Sequence, residues 1–269
     1  QWANPVASAQ VKSCVLLASL FCEGETSFCE PILSRDHTER MLEVCGVPIR
    51  RDGHAVFVKG PSSVPAREWI VPGDFSSAAF FIAGGALCPN ADITVEEVNL
   101  NPTRVGLLTA FEEMGVCVRV DVDHKDGEPV GSVRVQGRQR FKPIDLNPSL
   151  IPRLIDELPI LAVAASQAAG KSRLRGLGEL RIKESDRVAA VAKNLLAMGG
   201  KVEEKEDELI IHGPCRLQGA SVDSFGDHRI AMAFGVAALI AEGTTKITGA
   251  EVVSISFPSF WSEWEKLAQ

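Results

Sequence analysis

Apolar and small residues gather into four runs, each introduced by a short polar cluster. Ser8-Ala9-Gln10-Val11-Lys12 leads into CVLLASL, Asp74-Phe75-Ser76-Ser77 into AAFFIAGGAL, Asp156-Glu157-Leu158-Pro159 into ILAVAAS, and Asp227-His228-Arg229 into IAMAFGVAAL. The runs are apolar on nearly every side, which predicts buried helices. The Ser and Asp residues in front of them are good N-caps. Behind each run, a Gly-containing turn leads to a strand-like segment: GETSFCEP, ADITVEEV, KSRLRGLG and GTTKITGAE. Most of these alternate and are rich in Thr, Val and Ile, and the third fits least well. A second, amphipathic helix follows over 37–45, 104–114, 186–198 and 258–267. Gly46, Gly115 and Gly199 end the first three, as C-cap glycines do. Hairpins at 47–60, 117–137 and 201–214 close those units, with Asp52-Gly53 and Asp126-Gly127 as turn signals. The fourth unit stops after its second helix.

The plan is therefore a repeated α-β-α-β-β unit, whose sheets can cover a shared helical core. Pro and Ser cluster at 61–68 between two units, and this is the expected change of domain.

Buried helices that begin with Ser, Asp or Asp-His-Arg direct free amide groups and a positive dipole end outward. If those ends converge they form an anion site, and three of them carry Lys or Arg close by. Otherwise they are simply caps, and both readings stand. The chain is 45% hydrophobic and 23% charged over 269 residues, an ordinary globular balance. Its net charge of −7 argues against a non-specific nucleic-acid binder but leaves room for a local basic pocket. Seven cysteines without a CxxC pair predict free, buried thiols in a reducing, cytoplasmic setting. No apolar run approaches the roughly 18 residues of a membrane span. The chain starts at Gln1 without an initiator Met, which fits a fragment, a processed chain or an expression product.

Candidate chemistry sits at the helix mouths. Arg181-Ile182-Lys183-Glu184-Ser185-Asp186-Arg187 is the densest polar stretch. It is either a capping segment with solvated ion pairs, or an acid-base pair, Lys183 and Glu184, beside an Arg suited to a phosphate or carboxylate. Glu184 and Arg187, three apart, can share a helix face. Asp227, His228 and Arg229 directly precede an almost uncharged run, where ionisable groups need partners or a function. Of Asp156 and Glu157, one can cap its helix and the other can accept a proton or a hydroxyl hydrogen bond. In Ser34-Arg35-Asp36-His37-Thr38-Glu39, the Asp36 and Glu39 spacing matches a capping box, and Arg35 remains a candidate anion ligand. No nucleotide-binding glycine loop, zinc-binding helix or nucleophile elbow is present.

Seven stretches in order, SAQVKS at 8–13, SRDHTERML at 34–42, VPGDFSSAAF at 71–80, NPTRVGLL at 101–108, IDELPILAVAA at 155–165, RIKESDR at 181–187 and GDHRIAMAF at 226–234, resemble the 5-enolpyruvylshikimate-3-phosphate synthase family. The resemblance implies an α/β (α+β) fold, the enolpyruvyl transferase-like inside-out barrel of repeated βαβαββ units. Four of six units are present here: 1–66 as the last unit of the N-terminal domain and 67–269 as the C-terminal domain. It implies transfer of the enolpyruvyl group of phosphoenolpyruvate to the 5-hydroxyl of shikimate 3-phosphate, with release of phosphate and with no metal or organic cofactor. Position by position, Ser8, Ala9, Gln10 and Arg35 would hold shikimate 3-phosphate, and Asp156 and Lys183 would meet its reacting hydroxyl. Glu184 would move the proton at C3. Arg187 and Arg229, with Gln10, would grip phosphoenolpyruvate, and Asp227 and His228 would support them.

The sequence departs from the family pattern in two places. Ser254-Ile255-Ser256-Phe257-Pro258 lacks the Lys that part of the family places before Phe-Pro, as in the bacterial branch that includes glyphosate-tolerant members. The family's N-terminal Lys-Ser-Arg cluster and a further phosphoenolpyruvate-binding Arg also have no counterpart. The expected partners are therefore the two substrates and a complementary N-terminal fragment, with no nucleic acid and no membrane. The alternatives are an inactive substrate-binding fragment, the sister enzyme acting on UDP-N-acetylglucosamine, and a binding module that reuses the fold.

Overall fold

The four apolar runs all become helices, and three of them are capped by the polar residue that the sequence places in front. The structure, a computed structural model, describes residues 1–125, 127–137 and 140–267. The first unit comprises β1 (Trp2–Ala3), α1 (Ala9–Ser19), β2 (Gly24–Cys29), α2 (His37–Val44), β3 (Ile49–Asp52) and β4 (Ala55–Gly60). Its sheet runs β1-β2-β4-β3, with β1 parallel to β2 and the other pairs antiparallel. The second unit comprises α3 (Phe75–Leu87), β5 (Asp92–Asn99), α4 (Gly106–Glu113), β6 (Val118–Lys125) and β7 (Glu128–Gln136), in sheet order β5-β7-β6. Asp126 of the predicted turn lies outside the described residues.

The third unit comprises β8 (Asp145–Leu146), the short α5 (Ile151–Leu154), α6 (Leu158–Ala165), β9 (Gly170–Arg175), α7 (Arg187–Ala197), β10 (Lys201–Glu204) and β11 (Glu208–Gly213), in sheet order β10-β11-β9-β8. The fourth comprises β12 (Ser221–Asp223), α8 (His228–Leu239), β13 (Lys246–Thr248) and α9 (Phe260–Leu267), with β12 parallel to β13. The second unit reduces its opening strand to one parallel bridge, Gly73 to Val98. Every unit thus opens with a short parallel pairing, and the repeat is βαβαββ.

Ser8, Asp74 and Asp227 accept hydrogen bonds from the amides of Val11, Ser77 and Arg229, which fixes where α1, α3 and α8 begin. Gly46, Gly115 and Gly199 have φ of 79°, 74° and 81°, the left-handed geometry that ends α2, α4 and α7. α3, α6 and α8 pack on one another as a buried bundle beneath the sheets. α9 seals the fourth unit: Phe260 stacks on Trp264 at 5.4 Å and meets Phe80 edge-on at 6.1 Å.

The core divides into two clusters. The larger extends from Phe75 to Phe260, and the smaller holds Leu16, Leu20, Phe28, Leu42, Val47, Val56 and Val58. α1 departs from the expected all-round burial. Only Lys12, Leu16 and Ser19 are buried on it, while Leu17 is 48% and Phe21 just beyond it 88% exposed. Among the described residues it packs mainly on β2, β4 and α2 of its own unit, not in the α3, α6 and α8 bundle. None of the cysteines is in a disulfide, and Cys215 alone of them is buried, because the others lie near element ends and open faces. Among the described residues no helix is long and apolar enough to cross a membrane.

The join between the first unit and the second is polar. Asp36 accepts from Arg40 Nε at 2.9 Å, Asn101 Nδ2 at 2.7 Å and Thr103 Oγ1 at 3.2 Å. His37 Nδ1 lies 2.8 Å from Glu128 Oε1. The capping-box expectation is therefore overturned: Asp36 makes no cap hydrogen bond, and Glu39 turns inward to Lys12.

Gly85 lies mid-helix in α3, where alanine ordinarily adds about 0.5–1 kcal/mol. Here an added Cβ would lie 2.7 Å from Val135 Cγ1 and 2.9 Å from Ile93 Cγ1. Gly85→Ala is expected to destabilise instead, by about 1–3 kcal/mol as overpacked cores do. Urea unfolding checks this, and a stability gain would show that the sheet yields.

Candidate functional site

Four arginines from different stretches of chain converge on one carboxylate. Asp156 lies directly before α6, and its Oδ2 is 3.2 Å from Arg104, 3.4 Å from Arg229 and 3.5 Å from Arg35. Its Oδ1 is 3.3 Å from Arg187. Arg229 reaches in from the first turn of α8, Arg187 from the start of α7 and Arg35 from the loop before α2. Arg104 comes from the loop before α4. Burial alone would push the Asp156 carboxyl up, yet Arg229, Arg104, Arg35 and Arg187 outweigh it and hold it well below the usual carboxylate range.

Arg187 is itself fully engaged, with Asp227 at 2.8 Å, Glu184 at 2.6 Å and Asp156. It is buried, as is Asp227, so this pairing lies inside the protein. Asp227 serves twice, capping α8 and anchoring Arg187 Nε, and it also accepts from Ser185 Oγ at 3.2 Å. Glu184 precedes α7 rather than riding on it, and its side chain is half exposed beside Arg187. Next to Arg229, burial and then the Arg229 charge lower the His228 pKa, which favours the neutral ring.

Ser8, Ala9, Gln10 and Arg35 flank the same region. Ala9, Gln10 and Arg35 line an open pocket of about 430 Å³ with Ser13, His37 and Thr38. Ser8 caps the α1 end that faces it. Desolvation and then neighbouring Arg104 pull the Arg35 pKa down, so an added anion there relieves charge crowding.

One sequence candidate, Lys183, and one cation that was not a candidate, Lys12, lie apart from the hub. Lys183 pairs with Glu179 at 2.7 Å, one turn back in the chain, and not with Asp156 or Glu184. Lys12, a cation near the α1 mouth, is 1% exposed and wedged between Glu30 and Glu39, each at 2.9 Å. Its third donor goes to the Ser34 carbonyl at 3.2 Å. Burial pushes the Glu39 carboxyl up against the pull of Lys12. This triad is buried in the first unit, and its cation is fully taken up by protein groups.

Glu157, expected as a possible cap, makes no cap bond. It is fully buried and accepts a short hydrogen bond from Ser76, and burial pushes its pKa up. The sequence reading assigned no role to Arg104 or Ser76. A lone Arg in the Asn-Pro-Thr-Arg turn, just before an apolar helix, was the available signal.

The model of the family described as EPSP synthase (3-phosphoshikimate 1-carboxyvinyltransferase) matches residues 1–264. A protein named 3-phosphoshikimate 1-carboxyvinyltransferase from Salinibacter ruber is 49% identical over 267 residues, covering 98% of this chain and 61% of that protein. One of the same name from Bacillus anthracis is 44% identical, covering 100% and 63%. The solved EPSP synthase of Acinetobacter baumannii superposes with a TM-score of 0.91 at 40% identity, over 100% of this chain and 62% of that one. The enolpyruvyl transferase NikO of Streptomyces tendae, at 20% identity and TM-score 0.70 over 94% of this chain and 57% of that one, shares the fold. The chain thus spans about 61% of the length of the Salinibacter relative.

Proposed function

Since the chain belongs to the EPSP synthase family, we propose that, together with the further length its relatives possess, it transfers the enolpyruvyl group of phosphoenolpyruvate to the 5-hydroxyl of shikimate 3-phosphate. The observation that carries this reading is the ring of Arg35, Arg104, Arg187 and Arg229 on Asp156, beside the Gln10 and Arg35 pocket. Two phosphorylated substrates need several cations held in one place, and Arg forks match phosphate and carboxylate groups. UDP-N-acetylglucosamine is disfavoured as acceptor, since the relatives' names all specify 3-phosphoshikimate.

Ser8, Ala9, Gln10 and Arg35 hold the phosphate side of shikimate 3-phosphate. Asp156 accepts a hydrogen bond from its 5-hydroxyl. Its low pKa makes it a poor proton acceptor, so it orients the hydroxyl and does not carry the proton away. Lys183 reaches that hydroxyl by leaving Glu179. The hydroxyl oxygen bonds to C2 of phosphoenolpyruvate as its proton passes to the neutral amine of Lys183, while the protonated Glu184 carboxyl gives a proton to C3. The Lys183 proton then goes to the phosphate as it leaves C2, a C3 proton returns to Glu184, and the double bond is restored. Arg229 and Gln10 grip phosphoenolpyruvate, and Arg187 joins by exchanging one of its carboxylate partners. Seven cysteines with no disulfide among them support a reducing, cytoplasmic setting for the reaction.

The two core clusters support a division into 1–66 and 67–269. The exposed Leu17 and Phe21 and the open edge of β1 support docking of a complementary N-terminal part on the first unit. The test is phosphate release from the two substrates with this chain alone and then mixed with a separately made N-terminal part of a relative. Release in the mixture alone is the expected result. A folded chain that stays silent in both, while still binding shikimate 3-phosphate, would reduce the molecule to a binding fragment.

A further inference from the structure

Arg104 differs from Arg35 and Arg229 in how it is held. Among the described residues, Arg35 and Arg229 have Asp156 as their side-chain ion partner, at 3.5 and 3.4 Å. Either can turn to a ligand and strand nothing else. The Arg104 guanidinium is divided among three protein groups: Nη1 to Asp156 at 3.2 Å, and Nη2 to Asp74 at 3.1 Å and to Ser76 Oγ at 2.8 Å. Its side chain is 11% exposed, and its loop is fixed from both sides. The buried Asn101 accepts from the Thr103 amide at 2.8 Å, and the Pro102 carbonyl accepts from Arg153 Nε at 2.8 Å, on the turn before Asp156. Arg104 thereby links the first residues of α3 to those of α6.

We propose that Arg104 is a positioning residue for the reaction, one that keeps the Asp156 carboxylate in place while Arg35, Arg187 and Arg229 are given over to the anionic substrates. This rests on the substrate assignments above. Without Arg104, an Asp156 whose other partners had turned to substrate would lie beside the buried Glu157, with nothing opposing its desolvation. The charged groups facing Asp156 are Arg35, Arg104, Arg187, Arg229 and Glu157. Asp74, Glu184 and Asp227 stand behind the arginines.

The deciding experiment follows the Asp156 side-chain carbon by NMR against pH in this chain, assigned by comparison with Asp156→Asn. In Arg104→Gln the midpoint is expected to rise by about one pH unit or more. Arg104→Lys should give a smaller rise, since one ammonium cannot span Asp156 and the Asp74–Ser76 pair. An unmoved midpoint in a folded variant overturns the proposal. If Arg104→Gln does not fold, Arg104→Lys decides by the same reading, and collapse of both makes Arg104 a stability residue and sinks the idea. In the completed enzyme the acid limb of kcat should move to higher pH in Arg104→Lys, whereas an equal loss at every pH argues against positioning. Because the titration needs no turnover, it stands or falls separately from the proposed reaction.

Discussion

Replacing Lys12 by methionine is expected to cost about 3–5 kcal/mol of stability, because it leaves buried carboxylates without their cation. Lys12 Nζ spends its donors on Glu30, Glu39 and the Ser34 carbonyl, and no solvent reaches the group. The sign of the pH dependence follows from Glu39. Its folded pKa is already raised by burial, so its contribution is full below the unfolded value and is lost as pH rises through the folded one. Removing Lys12 takes away the charge that opposes burial and raises that pKa further. The deficit should therefore widen from mildly acidic to neutral pH. Urea unfolding of the small core at the two conditions checks both statements. A loss below about 1 kcal/mol would mean that the triad behaves as a solvent-exposed pair.

The second large effect concerns chemistry. Glu184→Gln in the completed enzyme should lower kcat by about 10²–10⁴-fold, the usual worth of a positioned acid-base group. Shikimate 3-phosphate affinity should change little, since Glu184 is half exposed and neither it nor its ion partner Arg187 lines the Gln10 and Arg35 pocket. Steady-state phosphate release and equilibrium binding separate the two. If kcat survives and only the phosphoenolpyruvate KM rises, Glu184 steers Arg187 and does not move a proton.

The repeat was legible because caps, apolar runs and terminal glycines are local signals. Asp74 in front of α3 and Gly115 behind α4 each act within a few residues of chain. β1, β8 and β12 were not legible from the residues, since two or three residues carry no period. The exposure of α1 was hidden for another reason: burial depends on neighbours, and the CVLLAS run of α1 does not itself say whether another helix lies beside it. Lys12 could have been found, since it shares the Leu16 and Ser19 face of α1, four and then three residues apart.

In the site, Arg35, Asp156, Arg187 and Arg229 lie too far apart in the chain for spacing to join them, and the family resemblance did so. Arg104 fell outside that resemblance-based set. Lys183 shows the converse: its neighbours in sequence suggested an acid-base pair, while the folded chain gives it to Glu179.

The aromatic seal of the fourth unit makes the molecule its own optical instrument. The chain has four tryptophans and no tyrosine, so its near-ultraviolet emission belongs to indole alone. Trp261 and Trp264 emit from the packed cluster around Phe260, at centroid distances of 4.9 and 5.4 Å, and report on the larger core. Trp2, 51% exposed on the outermost strand of the first sheet, emits from water and reports on that edge. Once the half-buried Trp69 between the first two units is replaced by Phe, blue and red components of one spectrum can follow the interior and the open flank of the protein separately, without a label.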